Sequence, residues 1–450
     1  MNTSDSLKRT LTLMPVTLFG IAYMTPVVVF TTFGVLSEVT KGAIVTAYLF
    51  TIIAMLFTAY SYCQMIKAFP VAGSAYTYVR KSISSNLGFM VGWALLLDYM
   101  FLPMAICVLT AYTLSAAIPA LPFWVAVLLF IAPPTVINIL GIKVAAKLNF
   151  WLMMFQFLVI AIFIGLSINT LLGGTGASLF SVKPLFTPET SMPIVLAGAA
   201  IAVYSFLGFD AISTLSEETI EPQKTIPKAT ILSVLICGGI FIVVSYLAQV
   251  VHPSYQYNDV NSGGYEVIRM VGGSLFESVF IAGLIVSSFA SALSAQASAG
   301  RILYVMGRDS VLPKKIFGYI HPKFKTPVFN LLIVGSISLL ALGLDVATST
   351  SFINFGAFAA FAFVNLSVIS YYFIKGNKRT PKETVLYLVI PLLGVSVNIW
   401  LWSNLDRNAL LLGGMWAACG FIYLLFLTKM FKQQPPEMRL ESPEEERLSS

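Results

Sequence analysis

The chain has 450 residues, of which 57% are hydrophobic and 10% charged, against about 25% charged in an ordinary soluble domain. A mean hydropathy of +0.85 excludes such a domain and predicts a polytopic membrane protein. The net charge of +7 sits in short loops between apolar runs, where membrane topology explains it, so nucleic acid is not expected as a partner.

A spanning helix needs about 20 mostly apolar residues. Twelve stretches qualify: 12–37, 43–67, 88–117, 122–141, 148–172, 193–216, 229–251, 273–305, 327–344, 350–374, 384–403 and 409–431. The first is too long for a signal peptide and has no small-residue exit, so the N-terminus is expected to persist. Of the 27 lysines and arginines, only Lys41, Lys183, Arg269 and Arg407 fall in segments on the side away from the termini. Both termini are therefore expected to be cytoplasmic.

In chain order, the first span is interrupted at Gly20-Ile21-Ala22-Tyr23-Met24-Thr25-Pro26. Pro26 cannot donate to the helix ladder, and Gly20 loosens the turn before it. Between the second and third spans, Phe69 to Tyr78 contains Pro70 and several small residues and is expected to be a cytoplasmic loop. The third span, from Gly88, carries Asp98 within Leu95-Leu96-Leu97-Asp98-Tyr99. The sixth is interrupted by Gly208 and places Asp210 in the run Ser205 to Ser213. Glu217, Glu218 and Glu221 follow beside Lys224 and Lys228 and are expected to form an inner charge network or gate. The eighth span starts near Gly273, has small residues from Ser287 to Ser298 suited to close helix packing, and ends at Arg301 to Asp309. Beyond the twelfth, Pro435-Pro436 opens a tail with Glu437, Glu441, Glu444, Glu445 and Glu446, whose low hydrophobicity predicts disorder.

The two interruptions lie about 185 residues apart, and the starts of the third and eighth spans repeat that offset. One kink in a membrane helix is commonly packing. Two at one offset, one beside an intramembrane acid, point to inverted repeats with a binding site between them. The expected organisation is a cytoplasmic N-terminus (1–11), a first five-helix repeat (12–172), a second (193–374), two added helices (384–431) and a cytoplasmic tail (432–450).

An aspartate at the bilayer centre costs about 2.5–3.5 kcal/mol on insertion scales, so it faces a cavity, a partner or a substrate. Asp210 is the leading candidate to hold an organic ammonium group through charge-assisted hydrogen bonds. Asp98 could meet the far ammonium of a diamine, carry a coupling proton or bond structurally to another helix. Backbone groups near Ala22, Thr25, Pro26 and Gly208 would supply further donors and acceptors. Tyr23, Phe206 and Phe209 could line the site and add cation–π attraction, although core packing is the commoner role for any one aromatic.

No enzyme is expected. The only histidines, His252 and His321, fall on opposite predicted faces, and no P-loop or nucleophile elbow is present. Cys63, Cys107, Cys237 and Cys419 lie in apolar spans without metal-site spacing and are expected to be buried thiols, with no disulfide, metal site or cofactor. A channel would need a selectivity ring; a non-transporting nutrient sensor with a transporter fold is the alternative of another class.

Three sets of residues carry a family resemblance: Phe69-Pro70-x-Ala72-Gly73-x-x-Tyr76-x-Tyr78 with Gly88-Phe89 and Gly92-Trp93; Phe206-Leu207-Gly208-Phe209-Asp210 with Glu217-Glu218 and Ile226-Pro227; and Arg301-x-Leu303-Tyr304-x-Met306-x-Arg308-Asp309 with Pro313, Pro322-Lys323 and Thr326-Pro327. In that order and spacing the chain resembles the amino acid–polyamine–organocation superfamily of secondary transporters. Gly20-x-Ala22-Tyr23-x-x-Pro26, Leu97-Asp98-Tyr99 and Asn354-Phe355-Gly356-Ala357 are similar to bacterial putrescine importers within it, whereas many amino acid members have a glycine-rich first break.

The resemblance implies an all-α membrane protein of twelve helices with a 5+5 inverted repeat, discontinuous helices 1 and 6 and two C-terminal helices. It implies import of putrescine or a related polyamine, or else an amino acid, across a bacterial cytoplasmic membrane, coupled to a proton or sodium ion. Two positions depart from the pattern. Thr31 stands where putrescine importers have an acid, and Gln156 where some proton-coupled members have a lysine, so those residues' roles do not carry over.

Overall fold

In the computed structural model the described residues are 9–117, 120–257, 260, 263–343, 346–405 and 407–436; the five tail glutamates lie outside them. Apolar composition around the whole helix circumference makes these segments helices that are either buried or in contact with lipid, and among the described residues no strand forms beyond one bridge between Leu11 and Thr219. In chain order the helices are α1 Leu13–Met24, α2 Val28–Val39, α3 Ile44–Ala68, α4 Ser74–Ser82, α5 Ser85–Ala117, α6 Phe123–Leu140, α7 Ile142–Leu172, α8 Met192–Ala202, α9 Pro222–Val251, α10 Gly263–Arg308, α11 Lys314–Phe317, α12 Val328–Ser338, α13 Val346–Val368, α14 Pro381–Thr384, α15 Ile390–Ser403 and α16 Arg407–Leu427.

Among the described residues ten segments are long and apolar enough to cross a membrane, and the bent pair α1–α2 makes an eleventh. The remaining sequence-expected span, 327–344, is a shorter apolar helix, Val328–Leu342, whose last turn tightens to a 3-10 helix before Gly343. The eighth span begins where expected. Gly273 takes φ 62, ψ −163 and separates the short N-terminal piece of α10 from its long C-terminal one.

At the centre α5 packs along α13 and α10, and α3 along α9. Phe30, Phe89, Phe163 and Phe241 fill the interior, while Trp124, Trp151, Leu158 and Leu275 point outward toward what would be lipid. α16 is joined to α5 by reciprocal bonds, Trp93 Nε1 to the Trp416 carbonyl at 2.9 Å and Trp416 Nε1 to the Trp93 carbonyl at 2.7 Å, with the rings stacked.

Two sequence expectations need correction. The segment after Pro70 is not simply a loop: Gly73 (φ +116) and Ser74 (φ 48) turn the chain sharply, and Ser74–Ser82 then forms α4, buried except at Lys81. Its packing depends on glycines of α5, where a side chain at Gly88 or Gly92 would collide with Arg80 or Tyr76. Cys63, Cys107 and Cys237 are buried, but Cys419 is exposed, because α16 lies at the periphery with little of its surface covered.

Candidate functional site

The first helix break is built by Thr25 and Pro26. Thr25 adopts φ 54, ψ 83 and closes α1 with its N–H on the Ile21 carbonyl at 3.0 Å. The chain then bends by 45° into α2. The carbonyls freed at the end of α1 are met by side chains: Thr25 Oγ1 lies 3.2 Å from the Ala22 oxygen and 3.3 Å from that of Tyr23, and Ser291 Oγ of α10 donates to Tyr23 O at 3.0 Å. Hydroxyl groups thus do what helix continuation would otherwise do.

The second break follows α8. A 3-10 turn, Val203–Phe206, gives way to extended Leu207 (φ −60, ψ 135), then Gly208 at φ +107, then the 3-10 segment Phe209–Leu215. A Cβ on Gly208 would fall inside the Tyr23 ring. The position therefore requires glycine both for its left-handed backbone and for space, and the two breaks are in direct contact.

Both intramembrane acids are placed here. Asp98 is fully buried and Asp210 is 1% exposed. Tyr99 donates its hydroxyl to Asp210 Oδ2 at 2.5 Å. Asp210 Oδ1, both oxygens of Asp98 and the hydroxyls of Tyr23 and Tyr62 are buried without a hydrogen-bond partner. The two carboxylates lie within electrostatic reach of each other, with Tyr23, Tyr62 and Tyr99 around them. Acceptor-only oxygens confined with few donors are suited to a cation bearing several N–H groups. Among the described residues no group of three His, Cys, Asp or Glu side chains is arranged to hold a metal ion.

Of the sequence-expected residues, Ala22, Tyr23, Thr25, Gly208, Asp210 and Asp98 are brought together, with Pro26 buried at the bend. Phe209 packs among Phe361 (centroids 5.2 Å apart) and Tyr62 (5.9 Å). Phe206 is set edge-on against Phe241 of α9 at 5.2 Å. Tyr99 and Tyr62 were missed. The only signal for them is a hydroxyl in an otherwise apolar span, and which hydroxyl reaches Asp210 depends on the 3-10 geometry after Gly208. Gln156 on α7 accepts from Ser287 Oγ at 2.6 Å, leaving its Nε2 buried without a partner.

The amino acid permease family model matches residues 15–418. The chain belongs to the amino acid permease family. It is 42% identical over 440 residues, 97% of each chain, to the low-affinity putrescine importer PlaP of Escherichia coli strain K12. It is 26% identical to two proteins of Bacillus subtilis strain 168, the methylthioribose transporter over 455 residues and the branched-chain amino acid permease BcaP over 458, with 95% of each chain covered in both cases. It is accordingly a multi-pass membrane transporter.

Around this centre the permease has two differently built faces. On the face of the termini, Thr10 and Leu11 donate backbone N–H groups to the Glu218 carbonyl at 2.8 and 2.9 Å. The Glu218 carboxylate pairs with Arg301, Glu217 with Arg308 at 2.8 Å, and Asp309 with Arg80 at 3.6 Å, whereas Glu221 and Lys224 form an exposed pair. Tyr76 donates to Asp309 Oδ2 at 2.9 Å. Burial, and then the Asp309 charge, push its phenol above the ordinary value, so it remains a donor. Arg80 also donates to the carbonyls of Pro435 (3.2 Å) and Pro436 (2.6 Å), which ties down the start of the tail.

On the opposite face the contacts around Ser37 are between neutral groups, while Arg269 and Glu277 in the first part of α10 form a more exposed ion pair at 3.7 Å. Ser37 Oγ donates to Gln249 Oε1 at 2.6 Å and accepts from Tyr257 at 2.9 Å, and α2 presses Gly34 against the Val260 carbonyl and Gly263. Thr32 and Tyr204, on this side of the two breaks, line a cavity of about 390 Å³ with Asn354, Phe358 and Asn404.

Proposed function

We propose that this permease imports a small dicationic amine, putrescine foremost, across the bacterial cytoplasmic membrane by alternating access coupled to a proton or sodium gradient. The observation that carries this reading is the pair of buried carboxylates, Asp98 and Asp210, with three of their four oxygens unpartnered where the two helix breaks touch. Two ammonium groups would neutralise two acids, each contact being worth about 4 kcal/mol at 4 Å in a medium of effective dielectric 20 before desolvation is counted. The relative named as a putrescine importer, 42% identical over almost the full length, supports the same substrate class.

In this reading Asp210, oriented by Tyr99, takes one ammonium and Asp98 the other. Tyr23 and Phe209 flank the alkyl chain, Phe206 backs the wall, and the carbonyls of Ala22, Thr25 and Gly208 with the bend at Pro26 complete the shell. The repeats 12–172 and 193–374 would then move against each other about the contact of Tyr23 with Gly208. The face of the termini is assigned as cytoplasmic by the bias of positive charge, and its ion pairs separate when that side opens. The substrate is carried unchanged, with no covalent step.

A second reading, transport of an amino acid, is favoured by the 26% identity over 458 residues to the branched-chain amino acid permease BcaP of Bacillus subtilis. Uptake of radiolabelled putrescine by cells lacking their own amine and amino acid importers tests both, with diamines and neutral amino acids as competitors. The expected result is accumulation inhibited by diamines and abolished, by about a hundredfold or more, in Asp210→Asn that still reaches the membrane. Equal inhibition by neutral amino acids would favour the second reading, and binding without accumulation would favour a sensor.

A further inference from the structure

We infer that the outward face of α12, with α11 at its head, is a docking surface for an anionic phospholipid, which lies along the helix with its headgroup at Lys314 and Lys315. Phe329, Leu332, Ile333, Ser336, Ile337 and Leu340 line an open groove of about 470 Å³, together with Ile316 of α11. Spaced by three and four residues, the six positions form one continuous stripe along the helix. At 1.5 Å per residue the stripe is about 16 Å long, close to one leaflet's half of a hydrocarbon core about 30 Å thick. Phe329, Leu332 and Leu340 are each more than two-fifths exposed. Ser336 Oγ donates to the Leu332 carbonyl of its own helix at 2.9 Å, so the one hydroxyl in the stripe leaves it apolar in effect.

Positive charge lies at one end of this stripe. Asn330 Nδ2 donates to the Phe317 carbonyl at 2.9 Å, and the rings of Tyr319 and Phe329 are 4.9 Å apart, so α11 is fixed at the first turn of α12. Lys314 and Lys315, on the same short turn as Ile316, are exposed, and among the described residues neither is in an ion pair. Lys323, in the turn leading to α12, is exposed as well, and no aspartate or glutamate occurs from Ser310 to Leu344. The helix Val328–Leu342 is shorter than a full span, and a short span holds its flanking lysines at headgroup level by snorkelling. An apolar stripe that ends in cations matches the polarity of a phospholipid beside a helix, and the lysines favour an anionic headgroup over a zwitterionic one. The same charges disfavour a second copy of this chain as the occupant. Two copies inserted in the same direction and meeting across this stripe would bring their lysine-bearing ends together at one level, and like charges so placed repel.

Native mass spectrometry of the purified full-length permease, given equal amounts of phosphatidylglycerol and zwitterionic phosphatidylethanolamine with the same acyl chains, tests this. Wild type is expected to retain phosphatidylglycerol in preference by about tenfold, and Lys314→Gln combined with Lys315→Gln to lose most of that preference. Lys375→Gln combined with Lys382→Gln, at two exposed lysines on a different connection, should leave the preference as in wild type. Ser336→Trp, at an exposed position in the groove, should reduce the phosphatidylglycerol retained by several fold. Equal retention of the two lipids by wild type, equal loss of preference in both lysine pairs, or retention unaffected by Ser336→Trp would each overturn the inference. So would a wild-type dimer that Ser336→Trp dissociates, since the occupant would then be a second copy.

Discussion

The two faces of the permease are closed by different chemistry, and the difference bears on how each can open. On the face of the termini, Glu218–Arg301, Glu217–Arg308 and Asp309–Arg80 are buried or nearly so. Removing one partner of such a pair strands the other at a cost of about 3–5 kcal/mol, so these groups have to part together and find water together. The opposite face has neutral hydrogen bonds around Ser37 and backbone contacts at Gly34, each bond being worth about 0.5–1.5 kcal/mol, and its ion pair, Arg269–Glu277, is more exposed and so worth little. Contacts of that size can be loosened one at a time.

The largest effect expected from breaking this contrast is at Glu218. Glu218→Gln leaves Arg301 buried without its counter-charge and should cost about 3–5 kcal/mol, seen as a lower melting temperature of the purified protein. Glu218→Met combined with Arg301→Met should recover most of that loss, since a buried pair can often be replaced by apolar groups. A double variant no more stable than Glu218→Gln would show that the pair's charge is not the issue.

Next comes Gly208, at the boundary between the faces. Gly208→Ala meets both a left-handed backbone and the Tyr23 ring, together about 2–4 kcal/mol, and is expected to stop uptake. Gly239→Ala, in open space, should leave uptake as in wild type. Equal activity of the two variants would contradict the contact between the breaks. Smallest is Ser37→Ala on the neutral face. It removes two hydrogen bonds, about 1–2 kcal/mol in total, and should increase modification of a cysteine placed at Thr32 by an impermeant thiol reagent by a few fold. A decrease would mean that Ser37 does not help to close that face.

Much of this architecture was legible because its causes are local. Pro26 removes a donor and Gly208 supplies a positive φ, so both breaks are visible in sequence, and Asp98 and Asp210 stand out against apolar spans. What was hidden depends on tertiary placement. The sequence reads as a loop at α4 because its buried polar residues, Arg80 and Tyr76, find partners in Asp309 and in carbonyls more than 350 residues from Arg80. Tyr99 gained significance only when the 3-10 geometry after Gly208 aimed Asp210 at it. Cys419 looked like other intramembrane thiols, yet its exposure follows from where α16 sits rather than from its own sequence.

The central claim is that Asp98 and Asp210 act jointly on two positive charges. Its most direct measurement is the binding of putrescine and of butylamine, the same chain with one ammonium fewer, to wild-type and Asp98→Asn permease. Wild type should prefer the diamine, and Asp98→Asn should reduce that preference by about a hundredfold, or about 2.7 kcal/mol, with butylamine affinity little altered. A preference for the diamine that survives Asp98→Asn unchanged would contradict the account.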